Sequence, residues 1–256
     1  SSENFVDFCP LHNYPTGFKD GNHLGSAVTL LETPSKTPFW FNLHAKGSRD
    51  NPSKGHAIII GGNQSGKTVL MSFLAAQLNR YGGNLFVFDR DRGMDIFVRA
   101  CGGSYALLSP DYPESTCFAP LKLADISTHR QLNRDLLVQL CKDHEDERLP
   151  AEIVEALTHC VQYAYDDLSP EHRTLSNATK VLPITFPKWA NLRRWLKGDG
   201  KYEDGEYAYI FDNATDQLQL QSVMGFDLTH FLDKEPSHIR TPLLMYLFNR
   251  IEQSFD

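Results

Sequence analysis

The sequence predicts an α/β fold: a mainly parallel sheet flanked by helices, with an N-terminal β-hairpin and a helical insertion. Three observations predict it. Gly61-Gly62-Asn63-Gln64-Ser65-Gly66-Lys67-Thr68 fits G-x-x-x-x-G-K-[ST], the phosphate-binding P-loop. An apolar run at residues 57–60 leads in and a helical pattern at residues 69–80 leads out, the strand–loop–helix order such a loop needs. Strand-like and helix-like segments then alternate as far as Leu108, which implies βαβ units with ligand at the carboxyl ends of the strands.

Residues 1–22 are rich in Pro, Gly, Asn and Asp and read as irregular. Residues 23–32 and 38–44 are β-like, and Pro34-Ser35-Lys36 between them predicts a hairpin. Phe39, Phe41 and Leu43 alternate with Trp40, Asn42 and His44, the period of a half-buried strand. The helix after the P-loop is expected to bury Leu70, Phe73, Leu74 and Leu78, at 3.6-residue spacing, and Gly82-Gly83 ends it. Residues 85–88 form a continuous apolar run, as in a strand covered on both faces. A short helix at 95–100 and a third strand at 105–108 follow.

After Pro120 the pattern turns helical. Leu132, Leu136, Leu137 and Leu140 mark one apolar face; Ile153, Leu157, Cys160, Val161 and Ala164 mark another. The charged run at 142–148 reads as a solvated loop. Residues 207–211 and 223–228 look like strands. A closing helix is expected to bury Leu244, Leu247, Phe248 and Ile251. The organisation expected is an N-terminal segment and hairpin (1–55), a P-loop core (56–119), a mainly helical insertion (120–205) and a return to the core (206–256).

Composition excludes several classes. Over 256 residues, 41% hydrophobic and 22% charged content describe a globular chain with a proper core. No apolar run reaches the ~18 residues of a membrane span. The start has neither an initiator Met nor a signal region, so both ends read as cuts in a longer chain. A net charge of −7 opposes a broad grip on nucleic acid. Arg193, Arg194 and Lys197, beside Trp189 and Trp195, form the compact basic cluster away from the P-loop; a solvated helix face is the simpler reading. Cys9, Cys101, Cys117, Cys141 and Cys160 form no C-x-x-C pair and read as buried thiols in a reducing compartment. His159 and Cys160 are chain neighbours and point apart on a helix, so a thiol nucleophile is not expected. No H-E-x-x-H or structural zinc pattern is present.

The chemistry of the P-loop follows from its residue types. Amides from Gly62 to Val69 (Asn63, Gln64, Ser65, Gly66 and Lys67 among them) would cradle phosphates at the positive end of a helix dipole. Lys67 would neutralise β/γ-phosphate charge, and the Thr68 hydroxyl would hold Mg²⁺. ATP and Mg²⁺ are therefore the expected ligands. Gln64 stands where many such loops have glycine, so its backbone angle is expected to be unusual. Hydrolysis also needs an acidic residue ending a second strand. Asp89 after residues 85–88 and Asp212 after residues 207–211 are the candidates. Asp89 is the better, because its strand belongs to the βαβ series; either is also an ordinary turn-initiating Asp.

Several segments resemble the VirB-type, TraC-like motor ATPases of type IV secretion and conjugation. They include Pro38-Phe39-Trp40-Phe41-Asn42-Leu43-His44, Phe88-Asp89-Arg90-Asp91-Arg92-Gly93, Phe118-Ala119-Pro120-Leu121 and Gly225-Phe226-Asp227-Leu228-Thr229-His230. Ile239-Arg240-Thr241-Pro242 completes the set, and the segments span most of the chain in order. The resemblance implies a RecA-like P-loop NTPase core related to FtsK and HerA translocases, usually hexameric. It implies an ATPase in the cytoplasm, peripheral to the bacterial inner membrane. Such a motor would work with other secretion subunits to power substrate transport or pilus assembly. It also implies that the chain is part of the C-terminal ATPase domain, with the second acidic motif and catalytic Glu following Asp256. Asp89 and Asp91 then line the site, Asp212 lies in a strand of the insertion, and Arg240 is a candidate charge for a neighbouring subunit's site. The family's usual Pro-Thr-Gly is replaced by Gly62-Asn63-Gln64. Two other readings stay open: a DNA-pumping translocase, and a nucleotide-sensing interaction module without turnover.

Overall fold

The computed structural model describes residues 16–255 except Ala45 and Arg49. The chain divides into two compact units, residues 1–85 and 86–256. The readings of Cys9 and of residues 1–15 lie outside the described residues.

In the first unit, β1 (Asp20–Asn22) pairs antiparallel with β2 (Gly25–Ser26), and β3 (Thr29–Glu32) with β4 (Pro38–Phe41). The second pair is the predicted hairpin, in register Thr29↔Phe41 to Glu32↔Pro38. Its turn closes through Thr33 N–H to Thr37 O at 2.9 Å. Helix α1 (Lys67–Asn79) follows the P-loop. Arg80 Nη2, just beyond its end, donates to Ala27 O at 2.8 Å and ties the helix end to the strand region.

Two expectations fail in this unit. Residues 57–60 form no strand, and Ile58 and Ile60 are 85% and 90% exposed. Extended backbone becomes a ladder only beside a partner, and none of the described strands pairs with this run. In α1 only Leu74 is buried, while Phe73 is exposed.

The second unit holds a three-stranded sheet in the order β5 (Leu85–Asp89), β7 (Val223–Asp227), β6 (Ser104–Leu107). β6 and β7 run parallel, from Ser104↔Met224 to Leu107↔Asp227. Leu108 N–H donates to Asp227 O, and Leu228 N–H to Asp89 O, so all three carboxyl ends meet at one edge. Helix α2 (Asp95–Ala100) returns the chain from β5, with Val98 buried. This is an α/β fold.

Leu132, Leu136, Leu137 and Leu140 of α3 (Ser127–Cys141) are buried, as the spacing predicts. So are Ile153, Leu157, Cys160, Val161 and Ala164 of α4 (Ala151–Asp166). Both helices contribute to one continuous core with Phe118, Phe211, Phe226 and Tyr246. Short helices α5 (Leu175–Ala178), α6 (Trp189–Arg193), α7 (Ala208–Phe211) and α8 (Thr229–Asp233) lead to α9 (Ser237–Gln253). In α9 the buried side chains include Leu243, Tyr246, Leu247 and Ile251; Leu244 is half-buried and Phe248 exposed, against expectation. The face is rotated because Tyr246 turns inward, its hydroxyl bonded to Asp216 and Arg250. Among the described residues no helix is long and apolar enough to cross a membrane.

Three further readings are corrected. Residues 207–211 contribute a single helical turn, α7, not a strand. The 142–148 run is not wholly solvated, because Lys188 Nζ pairs with Asp146 at 2.5 Å and Asp143 at 3.2 Å. Cys141 and Cys160 are buried thiols, but Cys101 and Cys117 are only partly covered.

Candidate functional site

The first locus is the P-loop. Gly66 caps α1 with φ 86°, a left-handed conformation open to glycine at little cost. Gln64 has φ 59°, the angle its position was expected to impose. These two reversals fold the segment 61–66 back on itself, and Ser65 N–H closes a turn on Gly62 O at 3.4 Å. The first helical bond is Leu70 N–H to Gly66 O at 2.9 Å. The amides of Lys67, Thr68 and Val69 therefore precede any intrahelical acceptor and point out of the helix start. Gly66 supplies no side-chain cap, and the first turn holds no acidic residue. The positive end of the helix dipole is thus left for an external anion. Lys67 Nζ donates to Gly61 O at 3.0 Å and Gly62 O at 2.6 Å, so the ammonium is folded over the mouth of its own loop. Asn63, Gln64, Ser65, Thr68 and Val69 are all exposed there. Backbone donors, a free helix start and a movable ammonium suit a polyphosphate.

The second locus is the carboxyl edge of the sheet. Asp89 ends β5, but its carboxylate is fully engaged. Oδ1 accepts Arg90 N–H at 2.8 Å; Oδ2 accepts Met94 N–H and the Tyr105 hydroxyl, each at 2.7 Å. Gly225 makes this possible. It stands opposite Tyr105 in the register, and a β-carbon there would overlap the tyrosine ring. Burial, and then the Asp89 carboxylate, push the Tyr105 phenol well above its usual range, so it stays a donor. Asp89 thus anchors the β5–α2 turn.

Beyond Asp89 the chain enters two successive left-handed residues, Asp91 (φ 63°) and Arg92 (φ 57°). Asp91 N–H donates to Thr229 Oγ1 at 2.7 Å, and the Thr229 hydroxyl donates to Asp227 Oδ1 at 2.5 Å. Arg92 Nε lies 3.6 Å from the other Asp227 oxygen. These groups line a cleft of about 440 Å³ with Tyr112 and Asp233. Asp227 and Thr229 were not singled out as site residues. The signal was an apolar run ending in Asp, masked because apolar Leu228 follows it directly. Among the described residues no three His, Cys, Asp or Glu side chains converge on a metal position.

Asp212 and Arg240 lie elsewhere. Asp212 is 1% exposed; it accepts Ser176 N–H at 3.0 Å and Lys197 N–H at 2.7 Å, and burial raises its pKa. It bonds main-chain amides inside the helical region and faces no cleft at the sheet edge. Arg240, on α9, donates to Leu232 O at 3.3 Å and is not part of the sheet-edge cleft.

No protein-family model matches the chain. Curated relatives match along its whole length. It is 36% identical over 259 residues to the type IV secretion system protein virB4 of Bartonella henselae. It is 34% identical over 270 residues to the type IV secretion system protein PtlC of Bordetella pertussis. It spans 31% and 32% of those two proteins, about a third of their length. Among solved structures, VirB4 of Thermoanaerobacter pseudethanolicus superposes with a TM-score of 0.63 at 15% identity, covering 93% of this chain and 66% of that one. That likeness is one of fold. Identity along its whole length makes the chain a homologue of one segment, about a third, of the VirB4 and PtlC type IV secretion system proteins.

Proposed function

We propose that this segment carries the nucleotide site of a RecA-like P-loop NTPase that hydrolyses ATP to power a type IV secretion system. The observation that supports it most is the start of α1: a left-handed glycine cap, no acidic residue in the first turn, and Lys67 folded onto its own loop carbonyls. In this reading Lys67 moves from those carbonyls to the β/γ-phosphates, and the amides from Gly62 to Val69 hold the phosphate oxygens. Thr68 would hold Mg²⁺, which when bound neutralises charge on the phosphates. Asp89 fixes the turn that presents Asp91 to the sheet-edge cleft. Arg240 offers a positive charge to a neighbouring copy in a ring, the assembly this reading expects. Other secretion subunits at the cytoplasmic face of the inner membrane would be its partners.

The test is phosphate release by the full-length protein with Mg²⁺-ATP. Lys67→Ala should abolish turnover while leaving the melting temperature unchanged. Turnover at the wild-type rate in that variant would refute the assignment.

A further inference from the structure

Three successive residues of the turn after β5 are each tied to the segment that ends β7 and forms α8. Arg90 Nη2 lies 2.7 Å from Asp233 Oδ1, Asp91 N–H donates to Thr229 Oγ1 at 2.7 Å, and Arg92 Nε lies 3.6 Å from Asp227 Oδ2. Asp89 fixes the two ends of the turn, through Arg90 N–H and Met94 N–H. The middle of the turn is strained. Asp91 and Arg92 are left-handed one after the other, a conformation rare for any residue but glycine, and arginine, unlike Asp, gains no local hydrogen bond from it. Glycine, which adopts it freely, comes at the next position, Gly93. Backbone of this kind persists only where surrounding contacts over-determine it, and the three ties do so here.

We propose that residues 91–93 form a two-state latch at the sheet-edge cleft, closed in this structure. In the open state the reversal passes to Gly93, Arg92 returns to an ordinary backbone, and the ties of Arg90, Asp91 and Arg92 are released together. Opening withdraws Asp91 and Arg92 from the cleft lining, so the latch sets the shape and charge of that cleft. Thr229 is the catch. Its hydroxyl accepts Asp91 N–H and donates to Asp227, the carboxylate that faces Arg92, so it joins two of the three ties. The third tie is a half-exposed ion pair and holds weakly by itself. All of these groups lie in the second unit, and no nucleotide is required.

The test is NMR relaxation dispersion on the full chain without nucleotide, read at the backbone amides of residues 90–95 and at Nε of Arg90 and Arg92. One exchange process shared by Asp91, Arg92, Gly93 and both guanidinium groups is expected. Thr229→Val, which keeps the shape and removes the hydroxyl, should raise the minor population about fivefold, the scale of one hydrogen bond. Thr229→Ser, which keeps the hydroxyl, should match wild type. Gly93→Ala, which obstructs a positive φ at that position, should suppress the exchange and return Thr229→Val to the wild-type population in the double variant. Amides of α3 should stay free of this process in every variant, which separates the latch from a loss of fold. Absence of a shared process in both wild type and Thr229→Val, different rates at the two arginines, exchange that survives Gly93→Ala, or exchange that spreads to α3 would each overturn the proposal.

Discussion

The Lys67 ammonium donates to the Gly62 carbonyl at 2.6 Å, within the loop that its own helix follows. Both groups lie near the surface, and the bond satisfies a charge that has no carboxylate beside it in the first turn. Lys67→Ala should therefore change unfolding free energy by less than about 0.5 kcal/mol in a urea titration. Gln64 tests the loop from the other side. Its left-handed backbone costs roughly 1 kcal/mol relative to glycine, partly offset by glycine's greater freedom when unfolded. Gln64→Gly should leave nucleotide affinity equal or better. Gln64→Val, β-branched at positive φ, should weaken it several-fold by isothermal titration calorimetry.

Gly225 and Tyr105 form the second testable pair. A methyl at Gly225 would meet the tyrosine ring that holds Asp89, inside a fully buried strand. Gly225→Ala should destabilise the second unit by about 1–3 kcal/mol, the usual cost of overpacking. Tyr105→Ala should also destabilise, and the double variant should lose less than the sum of the two. That shortfall, measured in a double-mutant cycle, is the coupling between them.

The first unit should be acid-sensitive. Burial, followed by the nearby His23 and His56, lowers the His44 pKa below its ordinary 6.5. A depressed folded pKa means the unfolded chain binds the proton more readily. The stability this group contributes is full above pH 6.5 and is lost as the pH falls from there through the folded value. Protection factors across residues 29–44, corrected for the intrinsic pH dependence of amide exchange, should fall between pH 7 and 5.5. His44→Gln should flatten that dependence, and an unchanged profile would refute the assignment.

Thiol chemistry offers a map of burial. Burial pushes the Cys141 and Cys160 thiols up to about 12, which leaves almost no thiolate at neutral pH. Iodoacetamide followed by peptide mapping should label Cys101 and Cys117 well before Cys141 and Cys160. Early labelling of Cys160 would mean that the core opens locally.

Much of this was legible in the sequence because local pattern and tertiary burial agree there. The hairpin turn, the 95–100 helix and the leucine faces of α3 and α4 follow directly from period and turn chemistry. The left-handed turn at Gln64 and the helix after Gly66 were legible because that geometry is carried by consecutive residues. Other features depend on contacts distant in sequence. Tyr207-Ala208-Tyr209-Ile210-Phe211 has strand-like residues, but four-residue α7 is too short to show a helical period, and Phe118 N–H bonds Ile210 O across the chain. Residues 57–60 have strand propensity but no pairing partner among the described strands. Asp227 and Thr229 matter because parallel pairing brings β7 beside β5, a juxtaposition of residues 138 apart that no local motif encodes.

In the proposed function the turn from Gly61 to Thr68 grips a nucleoside triphosphate. Amide hydrogen exchange of this chain, with and without a slowly hydrolysed ATP analogue and Mg²⁺, tests it most directly. The prediction is selective protection of residues 62–69, lost in Lys67→Ala. Unchanged exchange across that turn at saturating nucleotide, or protection that survives the substitution, would contradict it.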